Sequence, residues 1–202
     1  MIEAASGLRQ IERLLVQARL EPARDLAATY TDLADEPGLG PWNAFAASMR
    51  IQAKLLTEAP TLPEATVQLA MLTATCGGCH RATQAAVRWF APTSPPLDSA
   101  GLDARMARHR WAADELFVAM VASVPARWRA GIDILAAEPV EWPGMPSSAR
   151  GYASELQRLA LGARDAGARL DTNGPAVQAY GSLLAQCASC HAAEWTRQRE
   201  TR

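Results

Sequence analysis

The sequence predicts an all-α chain arranged as two tandem four-helix bundles, and three observations carry that expectation. Apolar residues recur at three- and four-residue spacing in segments bounded by proline and glycine, the period of a helix rather than a strand. Composition agrees: 49 % of the 202 residues are hydrophobic and only 6 % aromatic, with alanine abundant, which suits close helix packing. The order of helices and breaks in the first half then returns in the second, and the last helix of each half carries the same cysteine–histidine spacing.

From Glu3 to Leu20, the residues Leu8, Ile11, Leu14, Leu15 and Ala18 form one apolar stripe and predict the first helix. Pro22, at a place proline favours just inside a helix start, opens a short second helix to about Asp35, which Glu36-Pro37-Gly38 breaks. Pro41-Trp42 opens a third helix, with Phe45, Met49, Ala53 and Leu56 on one side. Pro60 and Pro63 bracket the turn into a fourth helix near Leu62, on which Leu69, Leu72, Cys76 and Cys79 share the buried face. Gly77-Gly78 would weaken that helix, and a group clamped to its flanks would hold the turn.

Ala91-Pro92-Thr93-Ser94-Pro95-Pro96 reads as a linker. Beyond it, helices are predicted from Asp98 to Ala122, from Pro125 to near Ala137, from about Ala149 to Ala168, and from Pro175 to about Arg197. A Pro/Gly/Ser loop covers Glu138 to Ser148. Glu21-Pro22-Ala23-Arg24 matches Val124-Pro125-Ala126-Arg127, Glu36-Pro37 matches Glu138-Pro139, and Ala65 with Leu72 matches Ala176 with Leu183. A repeat of about 100 residues is too long for a solenoid unit and long enough for a four-helix domain. The expected domains are therefore 1–90 and 98–202, joined by 91–97.

Each half carries one C-x-x-C-H: Cys76-Gly77-Gly78-Cys79-His80 and Cys187-Ala188-Ser189-Cys190-His191. Two thiols three positions apart on a helical turn can add to the two vinyl groups on one edge of a porphyrin, and the adjoining histidine becomes the proximal iron ligand. The motifs use all four cysteines and two of the three histidines. Zinc needs four ligands at one site, and two Cys2His sets 111 residues apart make two incomplete sites or one crowded one. A thioredoxin-like pair should follow a strand in a βαβ pattern, which is missing. Disulfides within each pair would be strained and would leave the histidines unexplained. The expected cofactors are two covalently bound haem c groups.

A net charge of −1 selects neither nucleic acid nor an anionic membrane. No run of about 18 apolar residues predicts a membrane span. Met1-Ile2-Glu3-Ala4 lacks a basic start followed by an apolar block, whereas c-type haem is attached outside the bacterial cytoplasm. The expectation that reconciles the two is a periplasmic protein whose export signal has been removed.

Only 11 residues follow His191, too few to wrap a haem, so the motif closes its half instead of opening it. In helix order and motif position, the chain resembles a tandemly duplicated class II c-type cytochrome of the cytochrome c′/cytochrome c556 kind. The resemblance covers most of the chain, though its firm residues are the two motifs. The 21–35 and 125–137 helices are short for it, and the family's usual basic residue after the haem histidine is not assigned to a position here. It implies four-helix bundles in which the first helix runs antiparallel to the fourth, so that its early residues lie near the distal face of the haem. It also allows a homodimer through helix faces.

That distal position brings forward His109, with Met106 one turn earlier as the competing ligand. The blander alternatives are a partly exposed polar histidine and a core methionine. By the repeat, the first-half partners of Met106 and His109 are Glu3 and Ser6, neither a usual haem ligand. Met49 is the nearest able side chain there, His109 could instead reach back, and Met71 sits on the wrong side of the attachment. Trp89, Trp111, Trp128 and Trp195 read mostly as core, with Trp111 close enough to His109 to rim a pocket. Arg105, Arg108 and Arg110 either meet haem propionates or form a solvated face, the latter favoured.

The leading functional expectation is a non-enzymatic dihaem cytochrome c carrying electrons between periplasmic redox partners. The alternative is NO or CO binding or sensing at a five-coordinate first haem. A dihaem peroxidase ranks last, because no acid, base and nucleophile stand beside the motifs.

Overall fold

Among the described residues, eight α-helices and two 3-10 turns make up the regular structure and no strand occurs. The computed structural model describes residues 2–32, 40–84, 94–97, 101–139, 141 and 145–200, with side chains over 5–32, 42–84, 94–97, 101–139, 141 and 145–193. The helices are α1 (Ile2–Val16), α2 (Leu20–Ala28), α3 (Gly40–Glu58), α4 (Leu62–Ala82), α5 (Leu102–Ala122), α6 (Pro125–Ala137), α7 (Arg150–Gly162) and α8 (Pro175–Glu200). The 3-10 turns are Ser147–Ala149 and Arg164–Ala168. The Glu36-Pro37-Gly38 break, Trp89, Ala91 to Thr93 and Asp98 lie outside the described residues, as do the side chains of Glu3 and Trp195.

Local chemistry sets most boundaries. The Thr61 side chain accepts from the Glu64 amide at 3.4 Å and Pro63 occupies the first turn, so α4 starts where expected. Its Glu64 near the start and Arg81 in the last turn complement the helix dipole. Gly101, at φ 110, holds a conformation open to glycine, which moves the start of α5 to Leu102. α2 is shorter than expected because the Thr29 and Thr31 hydroxyls donate back to the Leu26 and Ala28 carbonyls, at 2.8 and 2.7 Å. α7 stops at Gly162, where the Trp128 indole N–H takes the Ala163 carbonyl at 3.0 Å and the chain tightens into a 3-10 turn.

The first helix of each half ends in the same way. Ala18 (φ 58) and Ser123 (φ 56) turn left-handed, and the next amides close the helices as Arg19 N–H to Leu14 O at 2.8 Å and Val124 N–H to Ala119 O at 3.0 Å. Such a turn costs a non-glycine residue about 1–2 kcal/mol, and both halves accept it at corresponding places. These ends align Ala18 with Ser123, two residues off the register of the Glu21-Pro22 and Val124-Pro125 match.

Within each half, helices consecutive in sequence are neighbours in space. Across the halves, α4 packs along both α8 and α5, and α1 packs on α8. The first helix of each half thus lies against the last helix of the other, a reciprocal contact of the kind two-fold pairs make. Arg9 of α1 and Asp114 of α5, which correspond by the helix ends, bond to each other. α5 and α8 are not packed along one another, unlike the antiparallel first–fourth pair that the resemblance implies. One buried cluster runs through both halves: Leu8, Ile11 and Leu15 of α1 join Leu69 and Leu72 of α4, Phe117 of α5, Trp128 of α6 and Leu183 of α8. A fully buried leucine or isoleucine contributes roughly 1.5–3 kcal/mol, so this shared core holds the two halves as one body.

Gly77 has a reason of its own in the fold. A Cβ on Gly77 would collide with the Met120 carbonyl of α5, so glycine there permits backbone-to-backbone approach of α4 and α5.

Candidate functional site

Each C-x-x-C-H turn lies inside a continuous helix, the first in α4 and the second in α8. All four cysteines are thiols, not disulfides. Burial, and then the neighbouring Cys79, pushes the Cys76 thiol up to about 12. Burial, then Cys190, then Glu12 pushes Cys187 up to about 12 as well. Burial also raises Cys79. A thiol-exchange pair needs a depressed pKa to supply thiolate at neutral pH, and these environments do the opposite. Among the described residues, no three His, Cys, Asp or Glu side chains gather as a metal-ion group.

His80 is buried, and its Nδ1 lies 2.7 Å from the Val121 carbonyl at the end of α5. A carbonyl only accepts, so Nδ1 carries the proton and the lone pair is on Nε2. A ligating histidine is oriented in this way by its second nitrogen. Next to it, Arg81 Nη1 donates to the Ser123 hydroxyl at 2.6 Å. Together with Gly77 against Met120, these contacts dock the first motif onto the end of α5, a helix of the other half. Beside the turn, a cleft of about 340 Å³ is bordered by Phe45 and Ser48 of α3, Thr75, Gly78 and Arg81 of α4, and Asp171. Met49, one turn along α3 from Phe45, packs on the edge of the core, as does Met71.

At the second motif, His191 is exposed as a residue, yet enough protein surrounds the ring that desolvation lowers its pKa. His109, on the early part of α5, is half-buried and within electrostatic reach of it. Desolvation lowers the His109 pKa, Glu138 opposes this, and His191, Arg105 and Arg108 lower it further. Both rings therefore favour the neutral form at neutral pH, the form that has a lone pair to give a metal. Met106 is half-buried one turn before His109. The fold thus puts His109 within electrostatic reach of His191, while α5 and α8 are not packed along one another.

Arg105 and Arg108 do not form a solvated face. Arg105 Nη1 and Arg108 Nε donate to the two oxygens of buried Glu138 at 2.8 and 2.6 Å, and Arg108 Nη1 also reaches the Pro96 carbonyl at 3.4 Å. Arg110 is exposed. Gln157 fixes the Glu138 end of α6 by donating to the Ala136 and Glu138 carbonyls at 3.2 and 2.9 Å. Trp128 is core, and Trp111 is half-buried against the core. Sequence reasoning missed Glu138 and Glu12. The signal for Glu138 was the repeated Glu-Pro; for Glu12 it was a charge lying within the Leu8, Ile11, Leu15 stripe.

The residues present fit a covalently bound haem at each turn. The paired thiols are neighbours on one helical turn, His80 presents Nε2 in the ligating tautomer, and His109 lies within electrostatic reach of the second histidine. Comparison with protein-family models, curated proteins and solved structures returns no match.

Proposed function

We propose that this chain is a dihaem c-type cytochrome, similar to class II cytochromes, that carries electrons between redox partner proteins in the periplasm and is not an enzyme. The observation that carries the reading is the buried His80 of the first C-x-x-C-H, whose Nδ1 is bonded to the Val121 carbonyl. Haem c, when bound, supplies a one-electron Fe(III)/Fe(II) couple. Cys76 and Cys79, and Cys187 and Cys190, anchor it through thioethers. His80 and His191 are the proximal ligands, and the Val121 carbonyl holds the His80 ring in place. His109 is the distal ligand at the second site in this reading, kept neutral by its surroundings, with Met106 the competing residue. Apolar residues of the shared core exclude water from one flank of each turn. The duplicated-bundle view of the fold belongs to the same proposal, supported by the in-order neighbours within each half and by the matching ends of α1 and α5.

Gas binding is the second reading, confined to the first haem. The residue matching His109 is Ser6 by the Pro22–Pro125 register and Ala4 by the helix ends, so α1 offers no imidazole there. Met49 remains the methionine alternative at that site.

The test is the full chain matured in a host with a haem-attachment system. A mass increased by two haems, and a low-spin signal that turns high-spin in His109→Ala, support the proposal. A mass equal to the polypeptide alone refutes it. CO binding by one haem of the wild type favours the second reading at that haem, and two CO-inert haems exclude it.

A further inference from the structure

Glu12 occupies the junction of α1, α5 and α8 and is 3 % exposed. It accepts a hydrogen bond from the Tyr180 hydroxyl at 2.6 Å. Arg9 and Arg13 of α1, Asp114 of α5, and Tyr180 and Cys187 of α8 are the charged and titratable groups that act on it or that it acts on. Of the titratable groups described on α2 and α4, which also pack on α1, none is among those acting on it. Arg9 bonds Asp114 and lies 4.7 Å over the Phe117 ring, so its charge is shared. Glu115, the partner of Glu12 by the Pro22–Pro125 register, is instead bonded to Arg127.

An ionised Glu12 is therefore a buried charge hydrogen-bonded by a neutral hydroxyl, attracted by Arg9 and Arg13 and repelled by Asp114, and the cost of burial outweighs the attraction. Burial costs such a charge more than one hydrogen bond returns. Its partner Tyr180 stands on α8 about two turns before Cys187, the first thiol of the second motif, and Glu12 acts electrostatically on that thiol. A negative charge added at that motif raises the cost of the carboxylate further, because Coulomb terms are weakly screened in an apolar interior.

We propose that Glu12 is a proton site coupled to the second haem: its carboxylate takes one proton from solvent as a donor delivers one electron there, and returns it when the electron leaves. The inference rests on the dihaem reading. Burial pushes the Glu12 carboxyl up to about 7, so this exchange falls near neutral pH. Losing the Tyr180 hydrogen bond, which favours the carboxylate, moves the exchange to higher pH.

The experiment is a redox titration of the haem-loaded full chain with dithionite and mediators between about pH 5 and pH 9, with haem content measured alongside. One of the two midpoints falls as pH rises through a window around neutrality. The limiting slope is tenfold in the reduction equilibrium per pH unit, about 59 mV for one electron. Glu12→Gln flattens that midpoint across the window, and Tyr180→Phe shifts the window upward. Two haems per chain with both midpoints flat near neutrality, or a slope that survives Glu12→Gln, overturns the inference alone. A polypeptide without haem refutes the dihaem reading and this inference with it.

Discussion

Adjacent glycines in the first motif should respond oppositely to the same substitution. Replacing a mid-helix glycine by alanine gains about 0.8–1 kcal/mol from helix propensity alone. At Gly78 the new methyl meets Phe45 Cε1 at 3.5 Å, an ordinary contact, so Gly78→Ala keeps most of that gain. At Gly77 it meets the Met120 carbonyl, which belongs to the α5 backbone and cannot swing aside. Overpacking of that kind costs about 1–3 kcal/mol, which equals or exceeds the propensity gain. The two variants should therefore differ by about 1–3 kcal/mol, with Gly77→Ala the less stable. Urea unfolding reads this directly: with a slope of about 1–3 kcal/mol/M, the midpoints separate by roughly 1 M. Equal midpoints, or a more stable Gly77→Ala, would show that α4 and α5 do not meet through this glycine.

Three further outcomes follow from the buried polar groups. Glu12 has a folded-state pKa raised from 4.5 to about 7, so the folded chain holds its proton more tightly. Its contribution is full below about pH 4.5 and is lost as pH rises through 7, up to about 3 kcal/mol in all; Glu12→Gln should remove that part of the decline between acid and neutral urea midpoints, and an unchanged decline counts against it. Glu138→Ala leaves the Arg105 and Arg108 guanidinium groups without their carboxylate, at about 3–5 kcal/mol. The milder Glu138→Gln should lower the His109 pKa further, measurable by NMR titration of the ring, and a rise would contradict the assigned cause. Trp128→Phe takes the indole donor from the Ala163 carbonyl and should cost about 1–3 kcal/mol by urea unfolding; no loss would mean that carbonyl is satisfied elsewhere.

Helix starts were the most legible feature of the sequence. α4 and α6 begin where expected, at Leu62 and Pro125, because caps and prolines act within a few residues. Helix ends were less legible. α2 stops early through hydroxyls bonding back to its own carbonyls, and α7 through an indole supplied by α6, which lies 35 residues away in sequence. Arg105 and Arg108 suggested a solvated face until α6 brought Glu138 to them. Glu12 stood inside an apolar stripe without declaring what would meet it.

By itself the sequence determined that the chain is helical, where most helices start, and that two turns of the same cysteine–histidine spacing sit on the last helix of each half. Those properties depend on residues a few positions apart. Only the tertiary structure decided which helix faces which: α1 on α8, α5 on α4, His80 tied to Val121, His109 within electrostatic reach of His191, and Glu12 closed in with Tyr180. An amphipathic stripe specifies that a face must be buried and is indifferent to the apolar surface that buries it. The choice between a helix's own bundle and its neighbour's is made by close fits such as Gly77 against Met120, between residues 43 positions apart in the chain.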